Sequence, residues 1–214
     1  MTQPAGVVDL CVPADWAELV LPDAHEAEHA FAELVRRTWP RGPEALWSSA
    51  ASVLHAWRRA LMRRGAVSFG LVSVPRPDAP RAEWQVLTSV VRLPADPDID
   101  VTAVLARMCE DQGAHILHVE RFDTAMGLGV GLVATREIRP ARLPGMPVTA
   151  SDGQPIRMGM AAALACEPGG RDGLLVVGVC FAVEQTADLA ALVAVIAGRS
   201  RVRPGPQKGS GIDT

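Results

Sequence analysis

Residues 156–166 and 174–183 are two nearly uninterrupted apolar runs, and only Glu167-Pro-Gly-Gly-Arg-Asp-Gly173 lies between them. A connection this short and rich in turn residues has no room for a helical crossover, so the two runs pair as an antiparallel hairpin. The same logic applies twice more. Residues 67–74 and 84–93 flank the Pro-rich stretch 75–80, and residues 115–122 and 128–138 flank a short turn. Residues 7–12 read as one further short strand, closed by Pro13 and the region of Trp16.

Helical periodicity fills the gaps. Residues 23–38 and 44–64 predict two helices separated by the breaker Pro40-Arg-Gly-Pro43, hence a helical hairpin. Asp98 or Asp100 caps a third helix through Cys109, with Val101, Val104, Leu105 and Met108 on one face. Thr186 caps a last one with the stripe Leu189, Leu192, Val193 and Ile196. Short links between neighbouring strands, with helices in separate blocks, predict an α+β fold. The expectation is a single domain over residues 1–202: an antiparallel sheet of about seven strands packed by the hairpin and two further helices. Residues 203–214 are expected to form a disordered tail, and residues 139–154, a Pro/Gly loop, the mobile segment.

The chain has 214 residues, of which 49% are hydrophobic and 21% charged, which is ample material for a core. A net charge of -3 provides no global attraction to nucleic acid or anionic membrane. Lys208 is the sole lysine and tyrosine is absent. Cys11, Cys109, Cys166 and Cys180 form no C-x-x-C pair and three of them fall in apolar runs, so buried free thiols are expected. A Cys166–Cys180 disulfide depends on how their strands register. The first residues lack a basic region followed by an apolar stretch, and no apolar run reaches the length of about 18 residues that spans a bilayer. A soluble, cytoplasmic protein is the expectation.

One string names a reaction. His25-Glu26-Ala27-Glu28-His29 is a complete H-E-x-x-H, in which two histidines on one helical face grip zinc and the glutamate acts as general base. His55, on the next helix, is a candidate third ligand. The zinc hydrolase built on His25, His29, His55 and Glu26 is therefore the alternative function. The periodicity weighs against it. Ala24, Ala27, Phe31, Leu34 and Val35 form the apolar stripe of the first helix, and His25 and His29 fall opposite. His55 falls opposite the second stripe, made of Leu46, Ala50, Val53, Leu54, Trp57 and Leu61. Glu26 stands three residues after the N-cap candidate Asp23, where a capping box places a glutamate for structural reasons. Glu28 puts a charge where such proteases carry uncharged residues. Exposed histidines of this kind can still take up zinc or nickel without catalysis.

Other motifs read as structure. Gly127-x-Gly129-x-Gly131 lacks the following helix of a dinucleotide loop and predicts close packing or a bulge in a strand. Arg58, Arg59, Arg63 and Arg64 complement a helix C-terminus. No aromatic platform accompanies them, so nucleic acid is not an expected partner. His115 and His118, three apart on a strand, are expected on opposite faces. No nucleophile elbow is present. Trp39, Trp47 and Trp57 gather in the hairpin. Trp57 sits on the core stripe, whereas Trp39 and Trp47, if partly exposed, are candidate anchors for a protein partner.

The opening Val8-Asp-Leu-Cys-Val-Pro-Ala-Asp-Trp16, the charged hairpin, the strand pair across residues 120–130 and the ending Gly173-Leu-Leu-Val-Val-Gly-Val before a Thr-capped helix carry a resemblance over residues 7–202. The pattern resembles a group of uncharacterised actinobacterial proteins with a Mog1/PsbP-like α/β sandwich. That resemblance implies adaptor or assembly modules more than enzymes. The resulting expectation is a non-enzymatic protein-interaction or assembly module, without cofactor, with a protein partner or a homo-oligomeric state, and with neither membrane nor nucleic acid.

Overall fold

The structure, a computed structural model, describes residues 6–74, 82–94, 99–138 and 155–204. The 139–154 loop, the 75–80 stretch and the tail from residue 205 lie outside the described residues. The elements in chain order are β1 (Gly6–Asp9), β2 (Trp16–Glu18), α1 (Ala24–Thr38), α2 (Glu44–Arg63), β3 (Ala66–Val74), β4 (Ala82–Arg92), α3 (Val101–Glu110), β5 (Ala114–Thr124), β6 (Gly127–Ile138), β7 (Ile156–Cys166), β8 (Asp172–Cys180), a 3-10 turn (Val183–Gln185), α4 (Thr186–Arg199) and β9 (Arg201–Pro204).

The fold is α+β, and its centre is a seven-stranded sheet in the order β2-β3-β4-β8-β7-β6-β5, antiparallel at every pairing. The expected count of about seven holds, but the membership differs. The first strand leaves the sheet and pairs with β9 in a separate two-stranded ribbon, while Trp16–Glu18 takes the edge beside β3. Arg203 and Pro204, where the sequence suggested the tail begins, belong to that ribbon. A three-residue edge strand and a four-residue C-terminal strand carry too little periodicity to read alone.

Strand alternation divides the core. On β7, Ala161, Ala163 and Ala165 face α4, meeting Leu189, Val193, Ile196 and Ala197. Met160, Ala162 and Leu164 face the other way, toward Val101, Leu105 and Cys109 of α3. Phe69 and Leu71 of β3 pack under the α1–α2 hairpin. They pair with Leu87 and Gln85, which pair with Val177 and Val179, which pair with Ala162 and Met160. The hairpin therefore shares the α3 side of the sheet and α4 covers the opposite one. The alanines of β7 let α4 approach closely. The same need explains Gly178, where an added Cβ would stand 2.7 Å from Leu189 Cδ1 and 2.8 Å from Val193 Cγ2.

The glycines of β6 behave as the sequence suggested. Phe122 lies across them, and a Cβ on Gly129 would come within 2.9 Å of its ring. All four cysteines are free. Strands β7 and β8 do pair, but the register sets Cys166 opposite Gly173 and Cys180 opposite Gly159, so the two thiols lie at opposite ends of the hairpin.

Candidate functional site

Helix α1 starts where Asp23 accepts a 2.7 Å hydrogen bond from the Glu26 N–H. Ala27, Phe31 and Val35 are buried and Leu34 is half-buried, whereas Ala24 stays exposed. His25 and His29 are exposed, opposite this face. Their rings meet edge to face, with Nε2 atoms 3.3 Å apart. His55 does not join them. It is half-buried and packs edge-on against Phe31, at 4.9 Å between ring centres. The outward placement expected for His55 is thus corrected, because helix crossing turns this side of α2 toward α1. Among the described residues no set of three or more His, Cys, Asp or Glu side chains is arranged to hold a metal ion. Glu26 has its backbone in the helix cap and its side chain exposed.

Helix α2 has no fully buried residue over its 20 residues. Its stripe is only half covered: Leu54 and Trp57 pack against the hairpin core, while Leu46 is 39% exposed. Arg58 does more than complement the helix end. Its Nε donates to the Leu21 carbonyl at 2.5 Å and its Nη2 to the Pro22 carbonyl at 2.8 Å, tying α2 to the entry of α1.

At the far end the hairpin turns through an ordered corner. The Trp39 N–H donates to the Val35 carbonyl and the Gly42 N–H to the Trp39 carbonyl. The Trp47 indole N–H donates to that same Trp39 carbonyl at 2.9 Å. The Arg36 guanidinium stands 5.9 Å from the Trp47 ring centre. Trp47 is half-buried as the brace of this corner, and Trp39 is 41% exposed. Thr38, Trp39, Pro40, Arg41 and Gly42 line an open notch. Trp39, Leu46 and the notch form an apolar, cation-rimmed corner whose backbone is held by hydrogen bonds. Arg36 was not singled out by sequence. Leu46 was read as part of the core stripe of α2, but the hairpin core takes Leu54 and Trp57 from this helix and leaves Leu46 exposed.

On the opposite side of the sheet, β5 carries a bulge between Ile116 and His118. His115 pairs with Thr135 and His118 with Val133, positions two apart on β6. The two histidines therefore share the α4 side, against the expectation of opposite faces, because the extra residue cancels the alternation. His118 lies 3.8 Å from Glu120, and both border a crevice of about 20 Å³ between α4 and the sheet. That is room for roughly one water.

Edge strand β2 carries a second polar cluster. The Glu18 carboxylate accepts from the Trp16 indole at 3.0 Å, the Val20 N–H at 2.6 Å, the Phe69 N–H at 3.0 Å and the Ser68 hydroxyl. With four donors satisfied, this carboxylate is a structural fastener between β2 and β3. Burial pushes the Cys109 thiol up to about 11, with Glu110 adding to the effect, and burial raises Cys166 and Cys180 in the same direction. Buried, protonated thiols of this kind are poor nucleophiles.

No family model and no curated protein matches the chain. Three chains among the solved structures do. One of them, described as LpqN involved in cell envelope biogenesis of Mycobacterium tuberculosis, is similar over 95% of this chain and 87% of its own, at 12% identity and a TM-score of 0.40. The neighbour is distant and actinobacterial, and the Mog1/PsbP-like assignment stays with the sequence pattern that suggested it. Among the described residues no helix is long and apolar enough to cross a membrane.

Proposed function

We propose that this protein is a non-enzymatic interaction or assembly module that binds a protein partner through the corner of the α1–α2 hairpin. One observation supports it most. Trp39, on the corner, and Leu46, in the first turn of α2, are 41% and 39% exposed, and the corner backbone and neighbouring Trp47 are fixed by hydrogen bonds. Exposed apolar side chains on a rigid support lose little entropy on binding, which is the property of interface anchors. Arg36 stands 5.9 Å from the neighbouring Trp47 ring and Arg41 lines the notch beside Trp39, so a partner presenting an apolar side chain flanked by carboxylates fits the corner.

A photo-crosslinking residue at Leu46, expressed in the native host, tests this reading. A discrete adduct that disappears with Trp39→Ala, together with an assembly larger than the monomer by light scattering, is the expected result. An inert monomer with no adduct overturns it.

A further inference from the structure

We infer that His25 and His29 together form a two-nitrogen chelate for a late divalent transition-metal ion, on the exposed face of α1. The inference is independent of the interaction reading above, which rests on the other end of the hairpin. Four residues apart on one helix, the two imidazoles meet edge to face with their planes at 80°, and their distal nitrogens lie 3.3 Å apart. Two Zn–N bonds of about 2.0–2.1 Å at the tetrahedral angle require the nitrogens to lie about 3.3–3.4 Å apart. The spacing already present matches the bite of a bidentate chelate, and rotation of these exposed rings turns both lone pairs onto one ion. A square-planar ion such as Cu²⁺ requires only a small further closing of the rings.

The surroundings decide which chemistry the pair supports. Both histidines are exposed and lie opposite the buried Ala27, Phe31 and Val35, so an ion reaches them directly from solvent. No third His, Cys, Asp or Glu completes a cluster among the described residues, so water holds the remaining positions. Two neutral imidazoles favour copper, nickel and zinc over magnesium or calcium. The ion also cross-links one turn of the helix just after its N-cap, which stabilises the folded state in proportion to occupancy. Protons compete for the same nitrogens, so binding weakens as the solution is acidified.

The full chain without an affinity tag, titrated calorimetrically with CuCl₂ and with ZnCl₂ near neutral pH, tests the site. About one ion per chain, binding in the micromolar range, is expected. His25→Gln and His29→Gln should each weaken binding at least about tenfold, by removing one of the two ligands. Electron paramagnetic resonance of the Cu²⁺ form should show two equivalent nitrogens, falling to one in either variant. The double variant His115→Gln/His118→Gln should bind as the parent does. Circular dichroism of each variant confirms that the exposed substitutions leave the fold intact. Unsaturable binding in the parent, or parent-like affinity in His25→Gln and His29→Gln, overturns the chelate and leaves the 3.3 Å contact as a ring–ring hydrogen bond. A two-nitrogen signal that vanishes only in the His115/His118 variant likewise overturns it.

Discussion

Arg58 shows how much a single charged side chain can organise. Its guanidinium satisfies the carbonyls of Leu21 and Pro22, which precede the α1 cap and have no partner within a helix. Arg58→Ala should cost about 1–2 kcal/mol in urea unfolding, since hydrogen bonds from a charged donor outweigh neutral ones. Arg58→Lys should recover only part, because an ammonium cannot present two nitrogens in a fixed plane. An unchanged midpoint in Arg58→Ala would contradict this role. Cys109 makes a pH prediction. Its thiol is pushed from 9.0 up to about 11 by burial in the α3 core. Below pH 9 both folded and unfolded chains keep the proton and the stability is fully present. Above it the unfolded chain releases the proton first, so stability is lost as pH rises through the folded value. The loss amounts to about 2 kcal/mol between roughly pH 9 and pH 11. With no tyrosine and one lysine, the other side chains that titrate in that window are mainly thiols, of which burial also raises Cys166 and Cys180. Thermal melts under reducing conditions should show the fall, and Cys109→Ala should reduce it by the share of this one thiol.

Among the elements, α4 and β7 fit closely. Gly159 sits beneath the first residue of α4, where an added Cβ would stand 2.0 Å from Thr186 Oγ1 and 2.8 Å from Cys180 Sγ. The Thr186 hydroxyl donates to the Val183 carbonyl, closing the 3-10 turn into the helix. Gly159→Ala should therefore displace the helix start and destabilise by about 1–3 kcal/mol, the usual range for overpacking. A melt within error of the parent would show that α4 yields freely. The stripes of α3 and α4 were legible in sequence because both helices lie flat on the sheet and bury the face their 3.6-residue period marks: Leu189, Val193 and Ile196, and Val101 and Leu105, are buried as expected. The β5 bulge was not legible. An extra residue is an agreement between two strands, and nothing in residues 114–124 alone announces it.

At the scale of the whole molecule the first and last described strands meet in the β1–β9 ribbon. Asp9 and Arg203 form an ion pair across it, the Cys11 N–H donates to Ser200 Oγ at 2.9 Å, and Val8, Leu10 and Val202 pack on the α4 core. Ending the chain after Ser200 should strip β1 of its partner and lower stability by about 1–3 kcal/mol, from the half-buried valines alone. An unchanged denaturation midpoint would show the ribbon to be ornamental. The sequence by itself determined the α+β class, the antiparallel hairpins, the four helices and the outward facing of His25 and His29. Each of these depends on local period and turn chemistry, which neighbours along the chain dictate. Only the tertiary structure decided that the first strand leaves the sheet for β9, that α2 leaves Leu46 exposed, that His55 turns onto Phe31, and that His115 and His118 share a face. Those outcomes rest on register, crossing angle and pairing between segments far apart in the chain, where competing arrangements bury similar apolar area and only the complete packing selects among them.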